Sequence, residues 1–240
     1  MNESSEASAR PEEQVARTMR LSLFEGGLTQ VFLNWTTGSV LIGYLLHLGA
    51  SANHIALVGS VPMLAQIASP FGAYLAEVLG RRRVTAAVLS IIGRLSWILA
   101  AFLPQLPIEG ALLPTLLVGL VFFAATFQAA TGTIWSAWMG DVVPDDRRGR
   151  YFGFRTGLLG FVGTAANLAA GSFLDHVNAP LSFQVALGVA VGLSLIASFL
   201  YLFHYDPPTE RSRLNLRQLL TVPLAQPNFL HHPAYSQVQR

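Results

Sequence analysis

The sequence predicts an all-α membrane protein with six transmembrane helices, and three observations carry that prediction. Hydrophobic residues make up 52% of the chain and charged residues 12%, against roughly 25% charge in ordinary soluble domains, and the mean hydropathy is +0.47. The apolar residues gather into six stretches. At 1.5 Å per residue each is long enough to cross a hydrocarbon core of about 30 Å. Finally, all 15 basic residues are arginine, and every one except Arg94 falls on the same side of those six stretches.

Residues 1–22 are polar and mixed in charge. They lack the charged, apolar and cleavage regions of a signal peptide, so they read as a cytoplasmic N-terminal tail ahead of a 23–206 membrane domain. The predicted spans run from Phe24 to Leu48, Asn53 to Leu79, Val84 to Leu103, Ala111 to Gly140, Phe152 to Leu174 and Pro180 to Tyr205. Backbone groups in lipid must be satisfied within their own segment, so these stretches become helices rather than strands. Short connections make successive helices antiparallel neighbours. Tyr44, Trp97, Trp135, Trp138, Tyr151, Tyr201 and Tyr205 fall toward span ends, where amphipathic rings favour the interface. In the fifth span Gly157, Gly160 and Gly163 recur every three residues and Ala165, Ala166, Ala169, Ala170 and Gly171 continue the run. Such a small face lets backbones approach in lipid, so the fifth helix is expected inside the bundle.

Arg10, Arg17 and Arg20 precede the first span, and Arg81 to Arg83 separate the second from the third. Arg147, Arg148, Arg150 and Arg155 surround the fourth connection, and Arg211, Arg213, Arg217 and Arg240 follow the sixth span. The positive-inside rule puts that side, with both termini, in the cytoplasm of a multi-pass inner-membrane protein. The net charge of +2 is thereby accounted for by topology, without nucleic acid. The absence of cysteine excludes a disulfide scaffold and any Cys-based metal or thiol site.

Two arginine-side connections carry more than charge. In the first, an acid on the last turn (Glu77) is followed by Gly80, suited to the left-handed end of a helix, and then by the basic run. The second contains Asp141, Pro144, Asp145 and Asp146, which suit a helix end and the start of the next helix. Because both lie on one face, Asp141 is placed to pair with an arginine of the 81–83 run.

These two loops resemble those of the major facilitator superfamily of secondary transporters. The family's loop after its second helix reads Gly-x-Leu-Ala-Asp-Arg-x-Gly-Arg-Arg. Leu75, Ala76, Gly80, Arg81 and Arg82 match it, Glu77 replaces the aspartate, and Val78 replaces the first basic residue. Ala73 takes the place of the first glycine, with Gly72 just before it. Pro144, Arg148 and Gly149 resemble the family's connection after the fourth helix. The resemblance covers about residues 24–206. It implies half of a major facilitator fold, six helices as two inverted three-helix repeats, with Gly72, Glu77, Gly80, Arg81, Arg82, Asp141, Arg148 and Gly149 forming a cytoplasmic gate motif. Gly171-Ser-Phe-Leu-Asp175 echoes the Gly72 to Glu77 stretch on the opposite side, as inverted repeats would produce. The fourth span has no arginine upstream of Gln128 and Gly132, and the fifth lacks the Gly-Pro pair of the family's drug/proton antiporters. Proton-driven drug export is therefore unsupported.

Counting about ten to thirteen residues from the arginine side reaches Asn34, Gln66, Arg94, Gln128 and, in the fifth span, Thr164 and Asn167. Polar groups at that depth are costly unless paired or facing a cavity, so Asn34, Gln66, Arg94, Gln128 and Asn167 form the candidate cavity set. Two roles are open to Arg94: a fixed cation for solute or coupling, or an internal tie to Gln128 or Asn34. Glu25 is expected at the cytoplasmic interface. His47, His54 and His176 are expected at the external boundary. No phosphate loop, zinc helix or nucleophile elbow occurs. The chain is expected to be no enzyme and to need no cofactor or metal.

Pro207 and Pro208 end the sixth span. Leu214, Leu216, Leu219 and Leu220 could then form a short amphipathic helix. Residues 207–240 read as a cytoplasmic linker or tail, cut before a second half. The expected function is secondary transport of a small solute by alternating access, drawing on a coupling proton or ion. The expected partners are the lipid bilayer and a second six-helix half or homodimer partner. The competing reading is a non-transporting scaffold or a truncated transporter remnant.

Overall fold

The computed structural model describes residues 3–207, and all regular structure among them is helical. The eight α-helices are α1 (Glu3–Thr36), α2 (Gly38–His47), α3 (Ala52–Ala65), α4 (Ser69–Leu79), α5 (Arg82–Ala101), α6 (Leu113–Val142), α7 (Asp145–His176) and α8 (Leu181–Leu200). Five helical segments are long and apolar enough to cross a membrane: Ala52–Leu79, Arg82–Ala101, Gly110–Val142, Asp145–His176 and Leu181–Phe203. The expected amphipathic helix around Leu214 to Leu220 lies outside the described residues.

Two expected spans are interrupted. The first is shared between α1 and α2, which meet at Thr37, where the backbone is extended and Gly38 follows with a φ of 57°. Thr36 and Thr37 donate back to the carbonyls of Phe32 and Leu33, a local bonding mode that bends helices. The second is split by a 3-10 turn over Gln66–Ala68, between Pro62 and the Pro near the start of α4. At its other end α1 runs beyond the membrane domain, taking in most of the tail. Its Glu, Ala, Gln and Arg residues are strong helix formers.

The helices pack as a row in which α3 and α4 lie on α6, α6 on α5, α5 on α8, α8 on α1, and α1 on α7. The main core lies where α2, α5, α6 and α8 meet, around Tyr44, Leu45, Trp97, Leu117 and Leu187. Gly72 seats α4 against α6: a Cβ there would lie 2.6 Å from the Ala130 Cα. Outward faces are apolar, as in the α5 stripe Val84, Val88, Ile92, Leu95 and Leu99, whose spacing matches one side of a helix.

Two expectations are corrected. The fifth span, α7, lies at the end of the row rather than inside it: of its small residues, Gly163, Ala166 and Ala170 are buried while Gly157, Gly160, Ala165, Ala169 and Gly171 are exposed. A small face permits close approach, but only one side of α7 has a neighbour to approach. Most of the interfacial aromatics face protein instead of lipid headgroups. Tyr44, Trp97, Trp138, Tyr151 and Tyr201 are all buried. Three of their polar tips find backbone carbonyls: Tyr44 Oη donates to Ala100, Trp138 Nε1 to Tyr205 and Tyr151 Oη to Met19.

Candidate functional site: a groove between α1 and α6

The inward faces of α1 and α6 stand apart at mid-depth and leave a groove of two adjoining chambers that share Leu33, Gln128, Gly132 and Ser136 in their walls. The chamber farther from the arginine-rich end has a volume of about 470 Å³ and is lined by Phe32, Leu33, Gln66, Trp97, Val121 and Gln128, among others. The nearer chamber, of about 180 Å³, is lined by Glu25, Thr29, Gln30, Gln128, Trp135 and Arg155 with their neighbours. Gln128 borders both.

Beneath the nearer chamber runs a chain of buried charge. The Glu25 carboxylate, 2% exposed, lies 3.9 Å from the Arg155 guanidinium. Thr29 donates to Glu25 Oε1 at 2.9 Å and accepts from Arg94 at 3.0 Å. Arg94 also donates to the Ser194 carbonyl and to Ser198 Oγ, and Ser90 donates to the same Ser198 hydroxyl. Arg155 lies over Trp135, its Cζ 4.1 Å from the ring centre, a contact of about 0.5–2 kcal/mol depending on desolvation. Gly26 makes the crossing possible, since a Cβ there would meet the Arg155 side chain at 2.6 Å.

The candidate cavity set divides accordingly. Gln66 and Gln128 line the far chamber, and Gln66 accepts from Ser69 at 2.8 Å. Asn34 and Asn167 are brought together, Asn167 Nδ2 donating to Asn34 Oδ1 at 2.8 Å, at the crossing of α1 and α7 where Gly163 leaves room. Arg94 is 1% exposed, with Thr29, Ser194 and Ser198 as partners instead of Gln128 or Asn34. Glu25 is corrected: it is buried inside the bundle, because α1 starts well before the apolar stretch and carries Glu25 into the wall. Arg155 is likewise inside, on the third turn of α7 after Pro144 begins that helix. The i, i+4 pair Glu25 and Thr29 was the available sequence signal, a polar stripe on an otherwise apolar face. His54 bonds to Ser51 and Thr115, and His176 to the Ser172 carbonyl, all exposed.

At the arginine-rich end the loops meet as their pattern predicts. Arg82 Nη1 and Asp141 Oδ2 are 2.5 Å apart, joining α5 to α6. Gly80 ends α4 in the left-handed region with φ 58° and ψ 26°. Arg148 pairs with Asp145 at 2.6 Å and donates to the Gly140 carbonyl at 2.7 Å. Glu77 is half-buried, and Arg81 and Gly149 are exposed. Past α8, the Tyr205 amide donates to Thr18 Oγ1 at 2.7 Å. Burial raises the Asp206 carboxyl above its ordinary range, against the pull of Arg82 and Arg83.

The sequence profile described as Major Facilitator Superfamily matches residues 24–237. The chain belongs to the major facilitator superfamily. No curated protein and no solved structure matches it. Members of this superfamily are transporters, and the long apolar helices make this one a multi-pass membrane protein. In this facilitator the matched segment takes in the groove, the buried charge chain and both arginine-side loops.

Proposed function

We propose that this facilitator is a secondary transporter that carries a small solute through the α1–α6 groove by alternating access, drawing on a proton or ion gradient. The groove carries the reading: it is an opening at mid-depth with polar groups such as Gln66, Gln128 and Arg155 in its walls, in a bundle whose outward faces are apolar. Gln66 and Gln128 contact the solute from the groove lining, Asn34 and Asn167 meet it from the α1–α7 crossing, and Arg94 fixes the charge of the wall from behind. Thr164, Asn167 and Gln66 are exposed at mid-depth, where lipid is a costly neighbour. A second six-helix half, or a second copy, therefore covers the open side. The positive-inside rule favours a cytoplasmic arginine-rich end in an inner membrane. There Gly72, Glu77, Gly80, Arg81, Arg82, Asp141, Arg148 and Gly149 act as the gate latch. Two inverted three-helix repeats would explain the echo between the Gly72 to Glu77 and Gly171 to Asp175 stretches.

The test is solute counterflow into proteoliposomes, screened over a panel of small metabolites. Saturable uptake stimulated by the same solute inside is expected, and Gln128→Leu should lower it by about tenfold, the loss of roughly one buried hydrogen bond. Folded protein giving no stimulated uptake across the panel would count against transport.

A further inference from the structure

We propose that the near chamber binds the anionic head of a small organic acid on Arg155, with the far chamber taking its apolar body. The inference deepens the transport reading by naming a solute class for the same groove, but it requires only that the groove bind.

The first argument is charge. The buried chain from Arg155 through Glu25 and Thr29 to Arg94 holds two guanidiniums against one carboxylate. Neither chamber is lined by another acid. A surplus positive charge in a low-dielectric wall is costly, and an anion in the chamber relieves it.

The second is availability. Arg94 is committed to Thr29, Ser194 and Ser198 and faces away from the groove. Arg155 borders the chamber and its Nε is buried without a hydrogen-bond partner. Its distance of 3.9 Å from Glu25 Oε2, itself unpartnered, is too long for a hydrogen bond. The guanidinium is nevertheless held over the Trp135 ring, its Cζ 4.1 Å from the ring centre, so it is positioned before a carboxylate arrives.

The third is shape. Gln30, Gln128 and Ser136 add neutral polar groups around the head. Phe32, Leu33, Trp97, Val121 and Ala124 make the far chamber mainly apolar, which suits a hydrocarbon body and not a second charge. Glu25 competes with the solute for Arg155, so removing its charge tightens binding.

The experiment measures binding of butanoate, butylammonium and butanol to the chain in lipid nanodiscs, with empty discs subtracted. The three probes share a body and differ in the head. Saturable butanoate binding is expected, at least about tenfold tighter than the other two, or about 1.4 kcal/mol. Arg155→Gln should erase the preference and Arg155→Lys should retain it. Glu25→Gln should tighten butanoate, a gain that misfolding cannot mimic. The proposal is overturned by absent butanoate binding, by equal binding of butylammonium or butanol, or by weaker binding in Glu25→Gln. Displacement of butanoate by chloride at equal concentration overturns the organic-acid assignment. Butanoate preference without counterflow of any solute would remove the transport reading and leave the site. Counterflow without charge preference would do the reverse.

Discussion

At the scale of single residues, glycines decide where backbones and long side chains can cross. Gly72 lies against the Ala130 backbone, and Gly26 and Gly163 make room for Arg155 and Asn34 respectively. Gly119, on α6, has nothing within 4 Å of where its Cβ would be. Gly72→Ala is expected to destabilise the protein by about 1–3 kcal/mol through overpacking. Gly119→Ala should leave stability unchanged or slightly raised. Thermal unfolding in detergent, followed by size-exclusion recovery, separates the two; equal melting of both variants would refute the close approach at Gly72. The glycine-rich run of α7 was visible in the sequence, but which of its members meet a neighbour was not. That depends on α1 packing along one side only, and nothing within α7 encodes its partner's position.

Among elements, the arginine-rich end ties α5 to α6 through Arg82 and Asp141, with side chains partly exposed. Such a pair is worth about 0.5–1 kcal/mol, enough to bias the proposed gate without locking it. The chain has no cysteine, so Ser136→Cys is a clean reporter on the groove. Adding Asp141→Ala should speed its modification by a charged maleimide about two- to fivefold, in line with that energy, and the charge swap Arg82→Asp with Asp141→Arg should restore the slow rate. The pairing itself is legible in the sequence: an acid at one loop, a basic run at the other, and an even number of spans between them, which returns the chain to the same face. The charge chain under the groove was harder to read. Arg155 counts toward the topological arginines because it follows Arg147, Arg148 and Arg150 closely, yet α7 begins at Asp145. Glu25 reads as interfacial because nothing in the polar residues before Phe24 marks α1 as starting at Glu3. In both cases the helix boundary, the least reliable feature of a sequence reading, set the apparent depth.

Over the whole molecule, the all-helical, multi-pass class follows from length, hydropathy and arginine placement, because lipid leaves the backbone few alternatives, while five of the six expected spans appear among the described residues as helical segments long and apolar enough to cross. The row order and the groove do not follow, since they arise from which faces pair. The exposed side of α7 carries Thr164 and Asn167 beside small residues and the apolar Phe161 and Leu168, whereas α8 presents Val185 and Val189 outward. If a second copy covers the open side, Asn167→Cys should form an oxidant-induced disulfide dimer in proteoliposomes. Val189→Cys, on an apolar face, should not. Equal cross-linking at both positions would remove that interface.

Thr18, Glu25, Thr29 and Asn34 all sit on one unbroken helix, α1. A helix of that length behaves as a stiff rod. The hydrogen bond that fastens Thr18 to Tyr205 and the acid below the groove therefore belong to one mechanical body. A shift of this rod along or about its axis is transmitted to both places at once. Movement deep within the bilayer should thus be audible outside it, as a change in the distance between Thr18 and the end of α8, where a spectroscopic label can be placed without touching the groove.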